Sequence, residues 1–507
     1  MRRFYGILLI FFISVNFLAA ETGEDLSWNV PAVSSRIRHS WLQEKSEVLQ
    51  AGAAETSDYD FALENWQKFS GSWRKYFRVN DNSSFFYYGK QNKGIKFALN
   101  MSLQAGVDCS ISSGKPYNFM FYGLNTAGRI GENLFFHSDM WTGHFSHDNS
   151  DIMNNSPLID GWTKHKDDQI FIDNVKGKLL YRSEYLEAAV GRGKYEIGSN
   201  IGGSIILADY CNEYGYLNLD LKLGDFQFSV FNASLVPDST TQISGSGFAD
   251  FTYLENKYLT LHKVDWRKCD KVHVFIGESV IYGGRALELS YQIPFSLLRV
   301  TEHNLGDPDN MLIFAGFDAE ISSHNRFYFN LILDELRKAE ITTDWWGNKY
   351  ALQAGNAVEL NWGFWQRTVM EFTLVRPWLY THDTMLTKYS HDKHGLGFPE
   401  GSNLIQAALE MNFSFSERLA LDMNAAFIRQ GNTGSNWEAN YNSEIPDIDE
   451  YETALLAGDP ENRIKLQAVI SWQPLAHHYL KAGFKDVLDE TAGSDEWEIY
   501  FSFLTRY

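Results

Sequence analysis

The sequence predicts an all-β fold, a transmembrane antiparallel β-barrel of about 16–18 strands. Three observations carry that prediction. The amino end reads as an export signal, no later apolar run is long enough for a membrane helix, and the last segment is a strand with one apolar face and a terminal aromatic residue. The signal occupies residues 1–20. Arg2 and Arg3 form its positive region, Ile7–Val15 its apolar region, and Leu18-Ala19-Ala20 its cleavage site. That apolar run is shorter than the roughly 20 residues a helix needs to span a bilayer. No cysteine follows it as a point of lipid attachment.

Beyond the signal, apolar stretches such as Phe226–Phe231 and Leu419–Phe427 are broken by Gln, Ser, Asp or Asn. An exported chain without membrane helices is either soluble or a closed barrel, because lipid leaves no backbone polar group unpaired. Aromatic residues make up 15% of the chain (26 Tyr, 36 Phe, 15 Trp), more than a soluble core requires. Barrels use them as interface girdles and lipid-facing fillers, although a large secreted sugar-binding or sugar-cleaving enzyme would share this composition. The formal charge of −20 argues against nucleic acid as a partner, since phosphate contacts need clustered Lys and Arg. Cys109, Cys211 and Cys269 are widely spaced and form no CxxC pair, so one disulfide at most is available.

In the closing segment the odd positions are Trp497, Ile499, Phe501, Phe503, Thr505 and Tyr507, and the even ones are Glu498, Tyr500, Ser502, Leu504 and Arg506. This period of two is that of a strand with one apolar face. The closing strands of outer-membrane barrels resemble it, and so would an edge strand of a soluble sandwich.

Residues 21–85 differ from the rest. Trp41, Leu42, Lys45, Val48 and Leu49 recur at helical spacing, and the segment reads as a partly helical periplasmic region or plug, with a periplasmic tail as the alternative. Residues 86–507 form the barrel. Phe97, Leu99, Met101 and Leu103 alternate with polar residues. So do Phe327, Phe329, Leu331 and Leu333, then Met370, Phe372 and Leu374, and later Leu419–Phe427 and Ile464–Trp472. Connections alternate in length. Ser414–Arg418 and Trp472–Leu475 read as tight turns; Gly143–Asp168, Tyr282–Asn310, Asp334–Asn348, Pro377–Ser402 and Gln430–Asn462 read as long polar loops. Such barrels carry their long loops on the outside.

No GxSxG, HExxH or P-loop pattern is present, so no enzymatic activity, cofactor or metal is expected. Tyr380-Thr381-His382-Asp383 and Tyr389–His394 hold metal-type donors, but their spacing fits no standard site and solvated loop residues are the plainer reading. Four loop–strand junctions are chemically coherent. They are Ile281–Arg285, Glu302–Asn310, Trp345-Trp346-Gly347-Asn348-Lys349, and Val375–His382. Flat aromatic faces stack on sugar C–H faces, while Asn, Asp, His and Arg hydrogen-bond hydroxyls or pair with acidic sugars. The candidate polysaccharide-binding residues are Arg285, His303, Asn304, Asp307, Asp309, Trp345, Trp346, Lys349, Arg376, Trp378, Tyr380 and His382. Girdle aromatics and loop packing would produce the same residue types.

At these junctions the sequence resembles the Wzi-like capsule assembly outer-membrane proteins. The matching runs are Tyr282-Gly283-Gly284-Arg285, Glu302–Asn310, Trp345–Lys349 and Val375–His382, with Val190-Gly191-Arg192 and Arg429-Gln430-Gly431 as weaker members. The resemblance covers residues 190–431. It implies a barrel of about 18 strands, an N-terminal helical plug and a lectin-like role in holding capsular polysaccharide, with no catalytic residues to transfer. The partners it implies are capsular or other surface polysaccharide, outer-membrane lipids with lipopolysaccharide, and the barrel-insertion machinery. A porin or specific solute channel is the competing expectation, because a barrel this size can leave an aqueous lumen.

Overall fold

The computed structural model describes residues 86–506 except 91–93, 111–116, 147–161, 167–168, 238–240, 244–250, 254, 269–270, 336, 338–342, 417, 439–443, 446, 448, 476–477 and 490–493. The signal (1–20) and the N-terminal segment (21–85) lie outside the described residues.

The strands are β1 (Phe86–Lys90), β2 (Ile95–Ser110), β3 (Tyr117–Ile130), β4 (Leu134–Phe145), β5 (Trp162–Lys166), β6 (Gln169–Arg182), β7 (Leu186–Gly193), β8 (Tyr214–Leu223), β9 (Phe226–Leu235), β10 (Thr241–Ile243), β11 (Phe251–Tyr253), β12 (Lys257–Lys268) and β13 (Val272–Gly283). A short helix α1 (Leu298–Asn304) follows. The chain then continues as β14 (Asn310–Ser322), β15 (Asn325–Glu335), β16 (Lys349–Trp362), β17 (Trp365–Val375), β18 (Ser390–His391), β19 (His394–Gly395), β20 (Leu404–Ser416), β21 (Leu419–Gln430), β22 (Glu461–Leu475), β23 (His478–Asp489) and β24 (Ser494–Arg506).

Eighteen of these strands close into one antiparallel barrel. Each pairs with the next in the chain, and the ring is sealed where Ser102–Ser110 of β2 pair with Glu498–Arg506 of β24. β1 takes over the free edge of β2 where β24 stops, pairing Phe86–Lys90 with Ile95–Leu99. Closure leaves the wall without an edge, which is the condition for a sheet to stand in lipid. Among the described residues no helix is long and apolar enough to cross a membrane.

The period-two segments expected from the sequence are staves of this wall. On β17, Met370 and Phe372 are 64% and 49% exposed, whereas the alternating Glu371 and Thr373 are buried. Phe501 on β24 faces out, and Tyr500, Ser502 and Leu504 face in. The exposed set forms the lipid-type belt; the buried set lines the lumen. The lumen wall is charged toward the short-turn end. There the buried Asp265 carboxylate meets Lys263 (3.2 Å), His273 (2.7 Å) and Arg267 (3.8 Å).

Short and long connections alternate as the sequence suggests, with two-residue reversals such as Gly224-Asp225 and Ser323-His324 at one end. One turn is displaced. The pairing of β22 with β23 runs past Trp472, through an irregularity, to Leu475↔His478, so Trp472–Leu475 is strand and the reversal follows it. The cause is local: the register shift absorbs Gln473-Pro474, where proline supplies no ladder N–H.

Candidate functional site at the long-loop mouth

A barrel of this strand number has room for an aqueous channel. Here the long loops occupy it. The connection between β7 and β8, residues 194–213, turns inward and reaches the far wall of the ring. Ser199 Oγ donates to Asp318 Oδ2 of β14 (3.0 Å), and Asn330 Nδ2 of β15 donates to the Ser199 carbonyl (2.8 Å). Gln353 Nε2 of β16 donates to the Gly203 carbonyl (2.9 Å). On β17 the Glu371 carboxylate accepts from the Ile201 and Gly202 N–H groups (2.9 and 3.0 Å) and from the Tyr328 hydroxyl (2.7 Å). Four neighbouring staves thus supply the partners that a buried loop backbone requires.

The same loop carries Ile205, Ile206 and Leu207, all fully buried. They join inward-facing Phe231, Leu261, Leu312 and Val375 of the wall and Leu379, Leu396 and Phe398 of the β17–β20 loop in one apolar cluster. Burial of each such side chain is worth about 1.5–3 kcal/mol. The two loops are also cross-linked by hydrogen bonds. Tyr380 donates to the Ile205 carbonyl (2.6 Å), Tyr389 to that of Ile206 (2.8 Å), and Ala208 N–H to that of Leu396 (2.7 Å). Gly203 makes the close approach possible: it sits at φ +104°, and a Cβ there would lie 2.5 Å from the Pro399 ring.

The sequence-predicted residues divide into two groups. Trp345, Trp346 and Trp378 are buried together with Ile445, under the β15–β16, β17–β20 and β21–β22 loops. Arg376, also buried, ties these loops down. Its Nε donates to the Asn348 carbonyl (3.3 Å), Nη2 to that of Thr453 (3.0 Å) and Nη1 to Asp344 (3.3 Å). Lys349 lies under Trp346, with Nζ 5.0 Å from the ring centroid. Tyr380 stacks on Tyr389 at 5.8 Å, and burial raises the pKa of its hydroxyl. His382 is half-buried against Thr387 Oγ1 (2.6 Å) and Asp383 (2.7 Å), and burial lowers its pKa to about 4. These side chains hold the cap in shape.

The second group lies on the β13–β14 connection. Arg285 makes a two-pronged pair with buried Asp309 (2.9 and 2.5 Å), and Tyr291 donates to the same carboxylate (2.6 Å). His303, Asn304 and Asp307 are exposed. Donor atoms of Glu302, His303 and Asp307 fall within 4.8 Å of one another. The Glu302 carboxylate, however, is already engaged by Arg299 Nη1 (2.9 Å) and Asp309 N–H (3.4 Å). Burial and the Asp307 carboxylate push the Glu302 pKa to about 7, and the cluster reads as a loop fastening.

Sequence reasoning passed over a partly exposed cluster around the β18–β19 hairpin. Tyr210 meets His394 edge-on at 5.8 Å, and Asn212 Nδ2 donates to Asp392 (2.5 Å). Gly395 lies over the Trp437 ring, 3.2 Å from where its Cβ would be. Rings and amide or carboxylate groups at one partly open surface are the chemistry that sugar hydroxyls and C–H faces require. The Tyr389–His394 run held the signal, as its two imidazoles flank a two-residue turn that carries the Asp392 carboxylate.

No protein-family model matches the chain, and no curated protein does. Among solved structures it is similar to Wzi of Escherichia coli, described as an outer membrane protein involved in group 1 capsule assembly and a carbohydrate-binding β-barrel. The identity is 12% and the TM-score 0.52, over 80% of this chain and 83% of that one. OccAB4 of Acinetobacter baumannii and OccK8 (OprE) of Pseudomonas aeruginosa align at 9% and 7% identity with TM-scores of 0.45 and 0.46. Both alignments cover 81% of this chain, and they cover 97% and 98% of the two partners. The class the fold defines is the closed 18-strand antiparallel β-barrel, the architecture it shares with Wzi. The likeness at these identities is one of fold.

Proposed function

We propose that the chain is exported to the outer membrane, displays its long loops to the medium, and holds capsular or other surface polysaccharide there without turnover. One observation carries this reading. The 194–213 and 376–403 loops interlock in an apolar core inside the long-loop end of the lumen, so the equipped surface is the outside of that cap. The fold likeness to Wzi, itself a carbohydrate-binding barrel, supports it. Tyr210, Asn212, His394 and Trp437 are the groups we assign to sugar contact. Trp345, Trp346, Lys349, Arg376, Trp378 and Tyr380 act on binding by positioning the loops. His303, Asn304, Asp307 and His382 retain exposed atoms at the same end and belong to the proposed polar rim.

The test is deletion of the gene followed by separate measurement of cell-bound and released polysaccharide. The expected outcome is normal synthesis with loss of the bound fraction, and Trp437→Ala with Tyr210→Ala should reproduce part of that loss. Wild-type retention in the deletion strain would sink the reading.

A channel is the second reading, favoured by the polar inner wall near β20–β24. There Glu400 meets Lys465 (2.6 Å) and Arg463 (3.5 Å), and Lys485 meets Glu498 (3.0 Å).

A further inference from the structure

The β13–β14 connection folds over the outside of the barrel. The alternation along β13 shows this. Ile276 faces out and is 57% exposed, yet Val280 and Tyr282 on the same outer face are fully buried, as is Ile281 on the lumen face. Tyr291 and Leu298 of the connection cover them, in a cluster with Met311. Phe295 packs edge-on against Phe228 of β9 at 4.8 Å.

Beneath this cover the outer wall is polar where a barrel is normally apolar. Glu278 Oε1 accepts from the Leu298 N–H (2.7 Å) and Oε2 from that of Arg299 (3.2 Å), so a wall carboxylate caps α1 in place of the missing side-chain cap at Leu297. Both ring nitrogens of His262 face carbonyls of the connection, Ser296 at 3.1 Å and Tyr291 at 3.0 Å. Thr260 donates to Asn232 (2.7 Å) and accepts from Gln292 (3.4 Å). The strands are thus built to receive protein on this face.

The outer surface of the connection is apolar in turn. Leu289 is 74% exposed and Phe295 63%, with Ile293, Leu297 and Val300 beside them also exposed. Helical and 3-10 turns bond its backbone internally, including Thr301 N–H to the Leu297 carbonyl (3.1 Å). The Arg285–Asp309 pair buttons its two ends together. The exposed belt residues Ile276 and Ile313 adjoin its anchor: Ile313 is the cross-strand partner of Glu278, the carboxylate that holds Leu298, and Ile276 stands two residues before Glu278 on the same face. We propose that residues 285–305 form an amphipathic strap whose apolar face contacts the acyl chains of the outer leaflet at the headgroup boundary. An amphipathic segment of this kind beds about 5–10 Å into that boundary. The proposal rests on the membrane placement given above.

The experiment uses the full chain, with Cys109, Cys211 and Cys269 replaced by serine, in phosphatidylcholine vesicles brominated on the acyl chains. A bimane label goes on Leu297→Cys and, in a second variant, on Val300→Cys. Ile276→Cys serves as the belt reference and Asp449→Cys as the aqueous reference. The strap labels should be quenched by bromine severalfold more than the Asp449 label and shielded from iodide like the Ile276 label. Strap labels that follow Asp449 overturn the proposal. So does protection from both quenchers together with a disulfide dimer of the unlabelled Leu297→Cys variant under an added oxidant, which would show a second copy on this face. If the Ile276 label itself escapes bromine, the membrane placement fails and the strap assignment with it.

Discussion

His391 shows how one side chain can make the cap sensitive to acid. Its Nδ1 accepts the Val236 N–H (2.9 Å), its ring meets Tyr214 edge-on at 5.5 Å, and the charges that act on it are Asp392, Lys257 and Arg192. An accepting Nδ1 carries no proton, so the folded cap requires this nitrogen bare. Burial lowers the pKa from the usual 6.5 to about 4. The folded state therefore binds fewer protons than the unfolded one between those values, and the stability present above pH 6.5 is lost as pH falls toward 4. The full loss is roughly 3 kcal/mol. Hydrogen exchange at the Val236 amide, corrected for intrinsic rate, should show protection falling between pH 7.5 and 5. His391→Gln, which keeps an acceptor and cannot titrate, should flatten that fall. Equal pH dependence in the two proteins would refute the assignment to His391.

Among the elements, the 194–213 loop rests most heavily on Glu371. Glu371→Ala leaves the Ile201 and Gly202 N–H groups and the Tyr328 hydroxyl without their acceptor. The expected cost is roughly 3 kcal/mol. Glu371→Gln, which keeps one acceptor oxygen, should fall between alanine and wild type. The readout is the temperature at which the compact band disappears from unboiled gels, and an alanine variant as heat-resistant as wild type would sink the idea. The strands themselves were legible, since Phe327–Leu333 and Met370–Leu374 carry the period of two that a wall with unlike faces imposes. The inward loop was not read, because Ile201-Gly202-Gly203-Ser204-Ile205-Ile206-Leu207 has no period. Its signal was an apolar run placed where a polar loop belongs. The strap left a similar trace in Thr260, His262 and Glu278, which interrupt the outer faces of β12 and β13. Trp345, Trp346 and Trp378, which the sequence offers as sugar-binding candidates, are buried under the loops. Sequence alone cannot separate a ring kept open for a sugar from one buried beneath Ile445, because both use the same residue types at the same strand ends.

At the scale of the whole molecule, the question is what the lumen does with the width that 18 strands provide. Its long-loop end is filled on the side of β8, β9 and β12–β17, where the wall residues belong to one apolar cluster with the 197–211 and 379–398 segments. Ions cross such a core only if it opens, since an apolar lining offers no replacement for their hydration. The opposite arc carries paired charges, including Lys465–Glu400 and Lys485–Glu498. Paired charges can line a narrow polar path or simply brace the wall, and conductance separates the two. In planar bilayers the full chain should show low conductance, and replacing residues 195–207 by a short Gly-Ser link should raise it severalfold. The replacement removes Ile197, Ile205, Ile206 and Leu207 from the core and leaves every stave of the barrel intact. Added polysaccharide should leave the wild-type current unchanged, because a ligand held on the cap has no ion path to block. Stable, large wild-type currents that a small solute blocks would instead identify a channel and overturn the holding role.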